Sequence, residues 1–117
     1  MNKLLIFVGK DKKFDVPATV RIIESVEGVT ESRTGDFIGA IFECKFTYDG
    51  RSTVVRLSKD VETITADGLG DESLQFALLL QASLQVDLRV TDMNYAFDLR
   101  LRDVESLREF RGLVATG

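Results

Sequence analysis

The sequence predicts an α+β fold: a mostly antiparallel sheet of about five to six strands, with three helices near residues 15–27, 71–85 and 103–114 packed mainly on one face. Three observations predict it. Residues 74–84 are apolar at almost every position, which suits a helix surrounded by other elements. Residues 37–57 alternate between apolar and polar about Asp49-Gly50, the signature of a tight hairpin. The helix-period and strand-period segments follow the order βα, then antiparallel strands, then αββα, which gathers helices on one side of a sheet. A chain of 117 residues suits one domain, spanning 1–117, with a core that needs no covalent staples.

Residues 4–8 read as a buried first strand. The apolar run ends after five residues at Gly9 and the basic loop Lys10, Lys12 and Lys13. That is too short for a secretory h-region or a membrane span, so a cytoplasmic protein is expected. The first helix should start at Asp15, a good N-cap, with Pro17 in the first turn where its missing N–H costs nothing. Val16, Val20, Ile23 and Val26 form its apolar stripe, and Gly28 is placed at C′ to stop it.

A short strand is expected over 29–33, and then comes the hairpin. Ile38, Ala40, Phe42, Cys44, Phe46 and Tyr48 share one face. A two-residue turn at Asp49-Gly50 pairs Cys44 with Val55, Phe42 with Leu57 and, on the other face, Glu43 with Arg56. Residues 61–66 read as another strand. The central helix follows, with Asp71 as N-cap and Glu72 placed favourably for the helix dipole.

A second hairpin is predicted from 85–91 and 95–101. With Met93-Asn94 as its loop, Val90 meets Phe97, Leu88 meets Leu99 and Val86 meets Leu101, while Arg89 faces Asp98 and Asp87 faces Arg100. Met93 is a poor residue for the positive φ such a turn demands. Asp103 is expected to cap the last helix, lined by Val104, Leu107, Phe110 and Val114. The outer face of the sheet is expected to be wet, since its strands alternate.

Motifs for chemistry fail one by one. The chain has no histidine, which removes the commonest acid–base residue and most transition-metal sites. Gly68 and Gly70 precede a helix N-terminus, but Asp67, Asp71 and Glu72 crowd that end and no P-loop lysine follows. An EF-hand aligned on Asp67 puts leucine where oxygen ligands belong, and Gly9-Lys10 lacks the rest of a Walker motif. Cys44 lies between Phe42 and Phe46 on the apolar face and reads as a buried thiol. Arg100, Arg102, Arg108 and Arg111 are interleaved with acids, which argues against a phosphate track. No residue is assigned a catalytic, cofactor-binding or metal-binding role.

The net charge of −4 is concentrated in 58–85, which holds one basic and five acidic side chains. The acids are Asp60, Glu62, Asp67, Asp71 and Glu72, and they form the expected partner-binding edge. The reading is a non-enzymatic, cytoplasmic, bacterial-type protein-binding domain. It docks a basic protein partner, as an acidic immunity-type inhibitor would, and binds neither nucleic acid nor membrane. Two other classes stay open. One is a small-ligand binder or enzyme with a pocket between sheet and helices, using Tyr48, Tyr95 or an acid. The other is a homo-oligomeric structural subunit joined through a strand edge.

Overall fold

In a computed structural model, residues 2–9, 12–37 and 39–116 are described. Met1, Lys10, Asp11, Ile38 and Gly117 lie outside them, and with them the Lys10 end of the basic loop and Ile38's place in the hairpin. The fold is α+β. In chain order the elements are β1 (Lys3–Phe7), α1 (Val16–Ser25), β2 (Val29–Phe37), β3 (Ala40–Tyr48), β4 (Arg51–Ser58) and β5 (Thr63–Asp67). Then come α2 (Asp71–Ser83), β6 (Arg89–Asp92), β7 (Asp98–Arg100), a 3₁₀ turn (Leu101–Asp103) and α3 (Leu107–Thr116). The strands form one antiparallel sheet of seven, ordered β2-β3-β4-β5-β1-β6-β7, slightly more than the five to six expected.

The helix α2 is the hub. It packs on β3, β4 and β1 and touches α1, α3 and the 3₁₀ turn, which is why its sequence is apolar all round. The sheet face beneath it buries Leu4, Ile6, Phe42, Cys44, Phe46, Val55, Leu57, Ile64, Ala66, Leu88 and Val90. The buried polar side chains of α2 bind the backbone of its neighbours. Ser73 Oγ donates to the Asp67 carbonyl at 2.8 Å, and Gln81 both donates to the Val86 carbonyl (2.8 Å) and accepts from Leu88 N–H (2.7 Å). Each removes the penalty of an unpaired buried group.

The first hairpin has the expected register: Cys44 opposes Val55, Phe42 opposes Leu57 and Glu43 opposes Arg56. Asp49 and Gly50 both have positive φ, at 51° and 76°, as a type I′ turn requires. Asp15 caps α1, accepting from Ala18 N–H at 3.1 Å with Pro17 in the first turn.

Four expectations are corrected. Gly28 does not stop α1, which ends at Ser25; it makes the turn into β2 at φ 100°. The N-cap of α2 is Gly70, and Asp71 and Glu72 fall in its first turn. Asp103 does not cap α3: it ends the 3₁₀ turn, and the helix starts at Leu107, where Ser106 Oγ accepts from Glu109 N–H at 3.1 Å. The hydroxyl of Ser106 outcompetes Asp103 because it sits three residues before an N–H left free by the first turn.

The fourth correction is the second hairpin, whose register is displaced by two residues. Val90 opposes Leu99, Thr91 opposes Asp98 and Arg89 opposes Arg100. A slip of two preserves both faces. The expected ion pairs therefore survive as diagonal contacts, Arg89–Asp98 at 2.9 Å and Arg100–Asp87 at 2.6 Å, and they neutralise the directly opposed arginines. The loop is longer than Met93-Asn94 alone, and Tyr95, not Met93, takes the positive φ.

Candidate functional site

The face of the sheet away from the helices is not uniformly wet. It has two halves. Across β2, β3, β4, β5 and β1 runs a row of alternating charges: Arg33–Glu43 at 2.6 Å, Glu43–Arg56 at 2.8 Å, Arg56–Asp67 at 3.6 Å and Asp67–Lys3 at 3.9 Å. Hydrogen bonding from Arg33, reinforced by Arg56, holds the Glu43 carboxyl below its ordinary value against the opposing effect of burial. The row arises because the strand registers oppose Arg33 to Glu43, Glu43 to Arg56 and Asp67 to Lys3, one residue from each strand on the same face.

The other half is largely apolar. In β1 the run Leu4 to Phe7 sends Leu4 and Ile6 into the core and Leu5 and Phe7 to the open face. Leu5, Phe7, Thr63, Thr91, Tyr95, Phe97 and Asp98 line a trough of about 420 Å³ there. Phe97, expected on the core face with Leu99, is 7% exposed and forms one wall. Tyr95 is 79% exposed and Met93 51%, both in the β6–β7 loop.

Two side chains hold that loop. All four consecutive N–H groups of residues 93–96 find an acceptor on Asn2 or Asp92. Met93 N–H binds Asn2 Oδ1 (3.1 Å), Asn94 N–H and Ala96 N–H bind Asp92 Oδ1 (3.1 and 2.8 Å), and Tyr95 N–H binds the Asp92 carbonyl (3.1 Å). Asn2 Nδ2 donates to the second oxygen of Asp92 at 3.0 Å. Asp92 is only 3% exposed, and the Ala96 N–H first, with Asn2 and Asn94 N–H, holds its carboxyl below the ordinary range despite burial. Neither Asn2 nor Asp92 stood out in the sequence. The one local signal was Asp92 two residues before Asn94, a spacing suited to a side chain that binds the backbone two residues on.

The five acids of the expected partner edge fall into two groups. Asp60 and Glu62 lie in the β4–β5 turn, where Asp60 accepts from Ser58 Oγ (2.5 Å) and Glu62 N–H (3.0 Å). The Ser58 hydroxyl is the main reason its carboxyl titrates low. At the far end of the five-residue β5, about 14 Å away along the strand, stand Asp67, Asp71 and Glu72. Asp67 belongs to the charge row, and Asp71 pairs with Arg111 of α3 at 3.2 Å. Glu72 lies in the first turn of α2.

Four carboxylates with lowered values give stability a definite pH dependence. For Glu43, Asp60, Asp87 and Asp92 the folded form titrates below the unfolded form. Their contribution is complete above the unfolded carboxyl range and is lost as pH falls through the depressed folded values. The urea midpoint should hold steady from neutrality to about pH 5 and fall by about pH 2.5. A midpoint that rises on acidification contradicts the assignment.

The remaining candidates lie elsewhere in the fold. Burial pushes the Cys44 thiol up to about 12, so it stays protonated inside the core. Tyr48 lies away from the trough and lines a separate cleft of about 590 Å³ between the end of α1, the end of β3 and α2. No group of three metal-ligating side chains occurs among the described residues. Both sheet edges are poorly suited to adding a strand: β7 has three residues, and β2 is interrupted by two register shifts and carries Glu31, Arg33 and Asp36. No helix among the described residues is long and apolar enough to cross a membrane. Comparison with known protein families, curated proteins and solved structures gives no match.

Proposed function

We propose that the chain is a non-enzymatic protein-binding domain whose contact surface is the trough on the open sheet face and the Tyr95 loop above it. One observation carries the reading. Tyr95 projects into solvent, 79% exposed, from a backbone at φ 54°. The left-handed region costs an L-residue about 1–2 kcal/mol, and glycine or asparagine adopts it more readily. A bulky aromatic held there by a hydrogen-bonded loop does little for the fold. Beside an apolar hollow, it has the character of a binding anchor, since tyrosine supplies large contact area with little side-chain entropy to lose. Met93, exposed in the same loop, adds an adaptable apolar contact.

The acids give the partner its charge preference. Asp60 and Glu62 lie just before Thr63, which lines the trough, so basic groups beside the partner's apolar anchor are favoured there. Asp67, Asp71 and Glu72 lie farther off and extend the acidic character of the chain. A small acidic inhibitor of a basic protein, of the immunity type, is one form such a domain takes.

Tyr95→Gly separates binding from folding. Relief of backbone strain offsets the lost ring contacts, so the thermal midpoint should stay within about 3 °C of the parent. Proteins captured from native cell extract at low salt should fall about tenfold or more, the usual consequence of losing an anchor. If the variant captures the same proteins undiminished, the trough is not the contact surface.

A further inference from the structure

The hydrogen-bond polarity of the Tyr95 loop can be traced atom by atom. Lys3 N–H and Met93 N–H both point at one oxygen of Asn2, at 2.8 and 3.1 Å. That fixes the orientation of the Asn2 amide, whose NH₂ must then face position 92. The group at 92 meets this donor at 3.0 Å with one oxygen and receives two backbone N–H groups with the other. Only a carboxylate accepts on both oxygens. Asparagine at 92 would set an NH₂ against the NH₂ of Asn2, and turning the Asn2 amide would set its NH₂ against Lys3 and Met93.

We propose that Asn2 and Asp92 act as a matched pair of positioning residues that lock residues 93–96 into the conformation presenting Tyr95 over the trough. This rests on the reading of Tyr95 as the binding anchor, but the locking is measurable on the isolated protein. The pair works through the loop and touches no partner itself. It joins the start of β1 to the end of β6, strands that are neighbours in the sheet and 90 positions apart in sequence at the contact. Preorganisation of this kind raises affinity by reducing the ordering cost on binding.

The pairing rule makes an unusual demand: the two residues can be exchanged. Asn2→Asp with Asp92→Asn places the carboxylate at position 2, where it accepts from Lys3, Met93 and the new amide. The oxygen of that amide then accepts from Asn94 and Ala96. Every hydrogen bond is restored with no change in net charge.

The test is amide hydrogen exchange of Asn94, Tyr95 and Ala96, with Leu57 and Ile64 as core references. Asp92→Asn alone should accelerate exchange of the loop amides about tenfold or more, with the core amides much less affected. Adding Asn2→Asp should return the loop to within about threefold of the parent. Should Asp92→Asn fail to fold, recovery of a folded protein by the exchange supports the pairing. In that case Asn2→Ala supplies the single-variant comparison, and it should accelerate the loop amides likewise. Loop exchange unchanged in the single variants, or a double variant no better than Asp92→Asn, overturns the proposal. Tyr95→Gly capture results do not bear on it, so the two ideas fail separately.

Discussion

Phe76→Ala is expected to remove about 3–5 kcal/mol of stability, a large share of the roughly 5–15 kcal/mol that a domain of this size possesses. Phe76 is fully buried on α2 and meets the Phe46 ring edge-on, with centroids 5.4 Å apart and planes at 63°. Truncation deletes the transfer free energy of a ring, opens a cavity between α2 and β3, and forfeits an aromatic pair. Alanine is the better helix former, so the loss must be tertiary. Urea unfolding followed by circular dichroism measures it, and Phe76→Leu, which fills much of the volume, should cost about half as much or less. A loss below about 1 kcal/mol for Phe76→Ala would mean that α2 is not the hub of the core.

Gly28→Ala should cost about 2–4 kcal/mol through backbone strain and steric overlap. At φ 100° an L-residue is already unfavourable, and a Cβ there would stand 2.6 Å from the Thr47 carbonyl oxygen and 3.2 Å from the Phe46 ring. Neither neighbour yields easily, because Thr47 N–H donates to the Gly28 carbonyl at 3.0 Å and Phe46 is fixed in the core. Gly50 provides the control. It also has a positive φ, 76°, but a Cβ there meets nothing within 4 Å, so Gly50→Ala should cost only about 1 kcal/mol. Equal losses at the two positions would remove the steric part of the explanation.

The two hairpins mark how far the sequence was legible. In the first, a one-residue slip would have mixed apolar and charged faces, and Asp49-Gly50 fixed the loop length, so local chemistry determined the register. In the second, the competing register differs by two residues. Both choices keep Leu88 and Val90 inward and both allow Arg89 to reach Asp98 and Asp87 to reach Arg100. Face matching cannot separate them. What decides is the carboxylate of Asp92, which gathers the N–H groups of Asn94 and Ala96 and is itself bound by Asn2 from across the chain. The Asp92–Asn94 spacing hints at the first of these contacts, but no local pattern reveals the one from Asn2.

The trough was half visible. The unbroken apolar run from Leu4 to Phe7 implied burial on both faces of β1. One face is covered by α2; on the other, Leu5 and Phe7 line the trough together with Thr63, Thr91, Tyr95, Phe97 and Asp98. The acidic stretch 60–72 was plain in the sequence, and the strand expected over 61–66 already parted its two groups; what the sequence left open is that this strand lies between β4 and β1.

Site-directed photocrosslinking in native extract tests the proposed contact surface most directly. A photoreactive aromatic residue at position 95 probes the trough, and one at Arg108, exposed on α3, probes the helical side. Crosslinked adducts are expected from position 95 and not from 108. Adducts from 108 alone would contradict the assignment and move the contact surface to the helices.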